Sequence, residues 1–346
     1  MKKGLVKEKI RNIPTYLKSW AKTFSGSLTI FLLIILTLFP FLSQNESFIK
    51  YFLRHFTLAM IFSIFAASWD FLTGISGQIS FGHAIFFGLG GYLCAYLIAF
   101  QGFPIWLAIP TGALGAVGFG LIIGIPCLRL RGPYLALGTL AFSLILLKLF
   151  LLGSLSDILF GSEGISYNTG PYPLTRLSNN PVIEFFIVFI TLIICFIIIF
   201  QIVKSKFGTI LKSIRDDEVG ADASGINTTR YKVYAFMVSS LFAGIAGCFY
   251  AFYNTSVNPV GNFGTAISFF AILMASLGGL TTIAGSALGA FFFIFLEYIL
   301  IEVGAGLYVH LTFAIILILV VRFSEQGILR PIIEHLKDFW DVLLGR

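Results

Sequence analysis

The sequence predicts an all-α polytopic membrane protein with about ten transmembrane helices. Three observations carry that expectation. First, apolar runs of bilayer-crossing length follow one another along most of the 346 residues; a helix needs roughly 20 mostly apolar residues to span the hydrocarbon core, and Val182–Val203 is such a run with a single acid near its edge. Second, only 11% of residues are charged and 58% are hydrophobic, against about 25% charged in soluble domains, and mean hydropathy is +0.94. Third, the positive charge falls into alternate inter-helix segments, as the positive-inside rule requires.

In chain order, residues 1–27 form a basic segment, expected in the cytoplasm. The apolar run Leu28–Leu42 follows with no small-residue cleavage site, so it reads as a retained first helix over 28–43 rather than a cleaved signal. The next spans are expected at 51–69, 81–100, 104–125 and 134–152. The stretch Gly153–Pro181, poor in charge and rich in Gly, Ser, Asn and Pro, reads as an irregular external connection with a short surface helix. It serves equally well as a plain connector or as a docking surface for an extracytoplasmic partner. Further spans are expected at 182–203, 232–254, 264–280, 283–302 and 307–322, with a cytoplasmic loop at 204–231 and a tail at 323–346. The expected transmembrane bundle thus occupies 28–322.

Nineteen of the 23 Lys and Arg residues lie in four segments: the N-terminus, the loop with Arg129 and Arg131, the loop 204–231 with Lys232 at its edge, and the C-terminus. Ten spans place all four on one side, with both termini cytoplasmic. Lys50, Arg54, Lys148 and Arg176 fall on the other. An odd count would split the terminal clusters. Arg129 and Arg131 read as topological anchors at lipid phosphates, or as contacts to a partner subunit.

Several classes are excluded or left without support. The net charge of +7 is spread over membrane-flanking loops, which speaks against nucleic acid as a partner and names the lipid bilayer instead. Cys94, Cys127, Cys195 and Cys248 lie in or at the ends of apolar runs without metal-ligand or disulfide spacing, and read as packing residues. His83 has no ligand spacing with His55, His310 or His335, so no metal site is expected. The chain has no phosphate-binding G-x-x-x-x-G-K-[ST] run and no hydrolase signature. It is expected to have no catalytic residues and no cofactor of its own.

Two glycine blocks stand out. Gly77-Gln78-Ile79-Ser80-Phe81-Gly82 opens a Gly-rich helix in the first half, and Gly278-Gly279-Leu280-Thr281-Thr282 opens another in the second. They fit a five-plus-five inverted repeat with broken helices, and equally plain close packing. Gln78, Ser80 and His83 are polar groups at membrane depth, where they must face protein or water. With Tyr134 and Thr139 on a later helix they are candidates for lining a translocation pathway; local capping and interhelical bonding is the other reading. The loop 204–231 reads as two short helices. The first, Gly208–Ile214, is amphipathic; the second runs Arg215–Ser224, capped by Asp216 or Asp217 and stopped by Gly225. A short charged helix between two spans does nothing for insertion and suits a groove in another protein.

The run Ile214-Arg215-Asp216-Asp217-Glu218 with Ala221, Gly225-Ile226-Asn227, Lys232, Ala235-Phe236, Ser239 and Ala243-Gly244-Ile245-Ala246-Gly247 resembles the coupling loop and next helix of ABC importer permeases for branched-chain amino acids, the LivM type. Two further blocks agree: Gly77–Ala84 with Phe86-Phe87-Gly88, and Leu128–Ala136 with Thr139–Phe142. The resemblance covers about residues 55–325. Its departures are small: Glu218 stands seven residues before Gly225, Gly220 where Ala is common, and Phe81 where Leu is common. It implies an importer of two permeases and two cytoplasmic ATPase subunits in a bacterial inner membrane, fed by an extracytoplasmic substrate-binding protein, with ATP bound on the partner subunits. It also implies that Arg215, Asp216, Asp217, Glu218, Ala221 and Gly225 contact the ATPase. A sibling permease is the expected partner, and Ser80-Phe81-Gly82-His83 differs from the sibling type's Asn-Phe-Ala-His run, which favours the LivM-type half for this chain. The rival expectations are the same machine carrying urea, amides or sugars, an ion-coupled secondary transporter, and a membrane enzyme; the run Arg215–Gly225 argues against the second, and the third finds no nucleophile–base or metal set among these residues.

Overall fold

The computed structural model describes residues 34, 36–41, 46–127, 130, 132–304 and 306–323. The basic N-terminal segment, most of the expected first span, Arg129, Arg131 and the tail beyond 323 lie outside the described residues. The chain divides into two units, Met1–Leu53 with Pro331–Arg346, and Arg54–Arg330. In the first, a 3-10 turn at Phe39–Phe41 precedes the start of helix α1. Everything below concerns the second.

Long helices make up that unit: α1 (Glu46–Asp70, extended by a π-helical turn Phe71–Ile75), α2 (Ala84–Gln101), α3 (Ile105–Cys127), α4 (Pro133–Phe150) and α5 (Pro181–Lys204). Two short helices follow, α6 (Lys206–Asp216) and α7 (Glu218–Ala223), then α8 (Thr228–Asn254), a short α9 (Pro259–Phe263), α10 (Thr265–Gly278), α11 (Ile283–Glu302) and α12 (Val309–Phe323). Among the described residues eight helices are long and apolar enough to cross a bilayer, and they match the second to ninth expected spans in order. The protein is therefore an all-α, multi-pass membrane protein. Ten is an approximate count, because α12 has 15 residues and rises only ~22 Å at 1.5 Å per residue.

The ends differ from the expectation where local chemistry intervenes. Residues 81–83 were expected inside a span, but α2 begins only at Ala84. Pro133 and Pro181 occupy the first turns of α4 and α5, where a missing N–H costs nothing. The Asn180 side chain accepts from Val182 N to close the start of α5.

At the core, α8 packs along both α2 and α3. Backbones nearly touch there: a Cβ on Gly247 would overlap the carbonyl oxygen of Phe87, and one on Gly91 would sit 2.8 Å from the carbonyl oxygen of Gly247. Lipid gives no hydrophobic drive for helix pairing, so such small-residue contacts supply close dispersion packing instead.

Successive connections alternate between the two ends of the bundle. At one end, the break 71–83, the loop 205–227 and the turn 279–282 come together through Arg215, Gly74, Asp70 and Thr281. At the other, the external connection holds one helical turn (Ser156–Leu159) and a strand β1 (Ile165–Ser166) antiparallel to β2 (Ser256–Val257). Tyr172 N donates to Ala99 O, tying the same connection to the end of α2.

Replacing Gly247 by Val should lower the thermal unfolding midpoint of the detergent-purified protein, since overpacking costs about 1–3 kcal/mol or more. Gly118→Ala on α3, where a Cβ meets nothing within 4 Å, should leave the midpoint unchanged. Equal shifts from the two variants would show that this seam does not hold the bundle.

Candidate functional site: a docking loop against a broken helix

The loop between α5 and α8 is a rigid two-helix device. Ser205 Oγ accepts from Gly208 N at 3.4 Å and starts α6. Apolar Leu211 and Ile214 of α6 are buried while Thr209, Ser213 and Asp216 are exposed, the one-sided pattern of a helix lying on a surface. The helices break up to three residues from their expected positions: α6 runs on to Asp216, so Arg215 belongs to the first helix, and α7 is Glu218–Ala223 rather than Arg215–Ser224. Asp217 is the junction. Its Oδ1 accepts from Val219 N at 3.1 Å and Gly220 N at 3.0 Å, an N-cap that takes up two otherwise unpaired donors. At the far end Gly225 takes φ +83°, and Gly225 N and Ile226 N donate to Asp222 O and Ala221 O, the paired closure of a glycine-stopped helix. Asn227 Oδ1 then caps α8 through Arg230 N at 3.0 Å.

Two cations pin the device. Lys232, in the first turn of α8, is 3% exposed and pairs with Glu218 Oε2 at 2.5 Å; Glu218 is 29% exposed. Arg215 donates from Nε and Nη2 to Asp216 Oδ1 at 2.9 and 2.8 Å, and from Nη1 to the carbonyl of Gly74 at 2.9 Å. Gly77, at φ +71°, leaves its side-chain space to Arg215, whose Cγ stands 2.9 Å from where a Cβ would be. With these contacts made, the outward surface of α7 is left to Val219, which is 69% exposed, with Asp222 and Ala223 also exposed.

The second half of the site is the break itself. Gly77 N donates to Thr73 O and Gln78 N to Leu72 O, closing the widened π turn. Ser80, His83 and Thr139 are buried, as is Gln78, whose Nε2 donates to Ser76 O at 3.2 Å. Hydroxyls and ring nitrogens from neighbouring helices serve the segment. Trp69 Nε1 donates to Ser80 O at 2.7 Å, His83 Nε2 lies 2.9 Å from Ser68 Oγ, and Ser239 Oγ donates to Ser68 O at 2.7 Å. Thr139 Oγ1 accepts from Phe81 N at 3.0 Å, and Ser268 Oγ accepts from Ala84 N at 2.9 Å. Ser80 Oγ and His83 Nδ1 make no hydrogen bond.

The structure thus gathers Gln78, Ser80, His83 and Thr139 around one broken segment. Tyr134 stands apart, 70% exposed at the start of α4. Sequence reasoning missed Ser68, Trp69 and Ser268; the polar triple Ser68-Trp69-Asp70 at the end of an apolar run was the available signal. Among the described residues no group of three or more His, Cys, Asp or Glu comes close enough to hold a metal. An apolar cavity of about 190 Å³ lies elsewhere, between α2, α3 and residues 158–165, lined by Tyr92, Tyr96, Phe119, Phe150 and Phe160.

Among the described residues, a bundle of eight helices long and apolar enough to cross a bilayer, joined by loops at opposite ends, defines a multi-pass membrane protein. Comparison with known families gives the particular kind: residues 51–321 match the family described as branched-chain amino acid transport system, permease component, and the chain belongs to it. The chain is 27% identical over 335 residues to the high-affinity branched-chain amino acid transport system permease protein LivM of Salmonella typhimurium, covering 88% of this chain and 75% of that one. It is 28% identical over 310 residues to the Escherichia coli protein of the same description, covering 81% and 70%. It is 25% identical over 288 residues to a probable branched-chain amino acid transport permease protein LivM of Methanocaldococcus jannaschii, covering 78% and 79%. No solved structure matches.

The Lys232–Glu218 pair has a measurable consequence. Removing one member of a buried pair strands the other, and Glu218's partial exposure brings the usual penalty down to about 2 kcal/mol. Glu218→Gln should destabilise the purified protein by that amount, and Lys232→Met in the same chain should recover most of it. A double-mutant cycle in thermal unfolding with no coupling between the positions would contradict the pairing.

Proposed function

We propose that this chain is the LivM-type half of an ABC importer that moves branched-chain amino acids inward across a bacterial inner membrane. Both termini and the loop 204–231 face the cytoplasm. Two ATPase subunits bind the ATP, a sibling permease completes the membrane pore, and an extracytoplasmic binding protein delivers cargo to the face carrying residues 153–180. The permease itself carries out no bond chemistry and holds no cofactor.

The observation that carries this reading is the exposed α7. Its inner side is tied down by Lys232–Glu218 and its ends are closed by Asp217 and Gly225. Its outer side offers an apolar knob, Val219, beside Asp222. A rigid short helix with one protruding apolar residue is pre-organised for a groove, and loses little freedom on docking. Of the six residues the resemblance assigns to ATPase contact, Arg215, Asp216, Asp217 and Gly225 are at the surface, Glu218 is half-buried and Ala221 is buried. Through the Gly74 bond, the cap, the ion pair and the packing they make, Arg215, Asp217, Glu218 and Ala221 also shape the device. Gln78, Ser80, His83 and Thr139 line the cargo's route when the break opens; hydroxyl, amide and imidazole groups are what a zwitterion leaving water requires.

The test follows from that division of labour. Replacing Asp217 and Glu218 would remove a cap and an ion pair along with any docking contact. Val219→Lys with Asp222→Lys alters only exposed side chains. This variant should insert normally, lose co-purification with the ATPase subunits, and take up no labelled leucine into vesicles supplied with ATP. Wild-type uptake by it, or uptake by the native assembly without ATP, would overturn the proposal.

A further inference from the structure

Asp70 is the last residue of α1, fully buried, and its carboxylate is half used. Oδ1 accepts from Thr281 N, in the turn between α10 and α11, at 2.8 Å. Oδ2 is buried and makes no hydrogen bond. A carboxylate oxygen left bare in a low-dielectric interior is costly, so a chain that keeps one there has a use for it or a partner that visits it.

The candidate visitor is already beside it. Gly74 separates the two groups: its α-carbon lies against Asp70, where a Cβ would overlap Oδ1, and its carbonyl oxygen holds Arg215 Nη1. The Arg215 charge interacts electrostatically with the Asp70 carboxylate across this gap. The rest of the guanidinium rests on Asp216, whose side chain is 65% exposed. An exposed ion pair of that kind contributes about 0–1 kcal/mol, so the guanidinium can leave it at little cost. The backbone in between is irregular: Phe71–Ile75 is a π turn, a feature common at functional sites, and Gly77 follows it in the left-handed region.

Resting on the assignment of 204–231 as the ATPase-docking loop, we propose that Asp70 is a positioning residue for transport: its free oxygen is a second seat for Arg215. When the docked loop shifts, the guanidinium moves from Asp216 to Asp70. The π turn then reshapes, and through the Thr281 bond the α10–α11 turn moves with it. One arginine thus links the loop to both glycine blocks.

Asp70→Asn tests the idea, because it keeps an oxygen for Thr281 N and replaces the free oxygen by an amide nitrogen that repels a guanidinium. In the full complex reconstituted in proteoliposomes, with binding protein, leucine and ATP, the variant should still co-purify with the ATPase subunits. ATP hydrolysis should persist while leucine uptake falls at least tenfold, so that more ATP is split per leucine moved. Asp70→Glu should restore part of the uptake. In a background free of native cysteines, Asp70→Cys with Arg215→Cys should be bridged by a short bifunctional thiol reagent more readily in the nucleotide-trapped complex than in the nucleotide-free one. Wild-type uptake by Asp70→Asn, or a bridging yield indifferent to nucleotide, would overturn the proposal. The Val219→Lys, Asp222→Lys variant run in parallel keeps the two ideas apart, since failure of the docking assignment shows there as retained ATPase binding.

Discussion

Backbone that leaves a helix where the protein buries it must find its hydrogen bonds within the protein, and the segment 71–83 is where this chain meets that demand. Phe81 N and Ala84 N go to Thr139 and Ser268, while Ser80 O is taken by Trp69. The partners come from α1, α4 and α10, and Ser239 of α8 secures the Ser68 backbone behind them. One break therefore organises four helices. The same demand explains why so many serine and threonine hydroxyls sit in an otherwise apolar bundle.

Glycine makes this arrangement possible in a different way at each place. Along α2 and α8 the missing side chains let backbones approach, as at Gly247 against Phe87. At Gly77 the missing side chain admits Arg215 and permits the left-handed turn. The first use builds a dense seam; the second brings the surface loop into contact with the irregular part of the bundle.

The loop 204–231 shows the same division. Its energetic anchor is the inward pair Lys232–Glu218, a contact largely removed from water and so little screened. Its outward face carries charges whose mutual contacts are weak and Val219, which touches little of its own chain. The anchoring contacts thus lie on one side of α7 and the exposed side chains on the other. Residues that look alike in the sequence, such as Asp216, Asp217 and Glu218, consequently make three different contacts: an exposed ion pair with Arg215, a helix cap and an ion pair with the buried Lys232.

Much of this was legible from the chain alone, for identifiable reasons. Hydrocarbon thickness dictates run length, so eight spans were readable to within a few residues, and charge asymmetry set which loops share an end. Asp217 and Gly225 announced a cap and a stop because capping chemistry is local. Local pattern could not show that α2 starts at Ala84 rather than Phe81, since the stretch is apolar enough for either and only hydroxyls from distant helices satisfy the non-helical form. Nor could it separate Tyr134 from Thr139: both lie on α4, but helix rotation relative to neighbours sends one to the surface and the other to Phe81 N. Class, helix order and the two-helix form of the loop 204–231 were determined by the sequence itself, because each depends on composition or on neighbours within a few residues. The meeting of Arg215, Gly74, Asp70 and Thr281 was decided only by tertiary structure, because it joins positions up to 211 residues apart through contacts that no periodicity encodes.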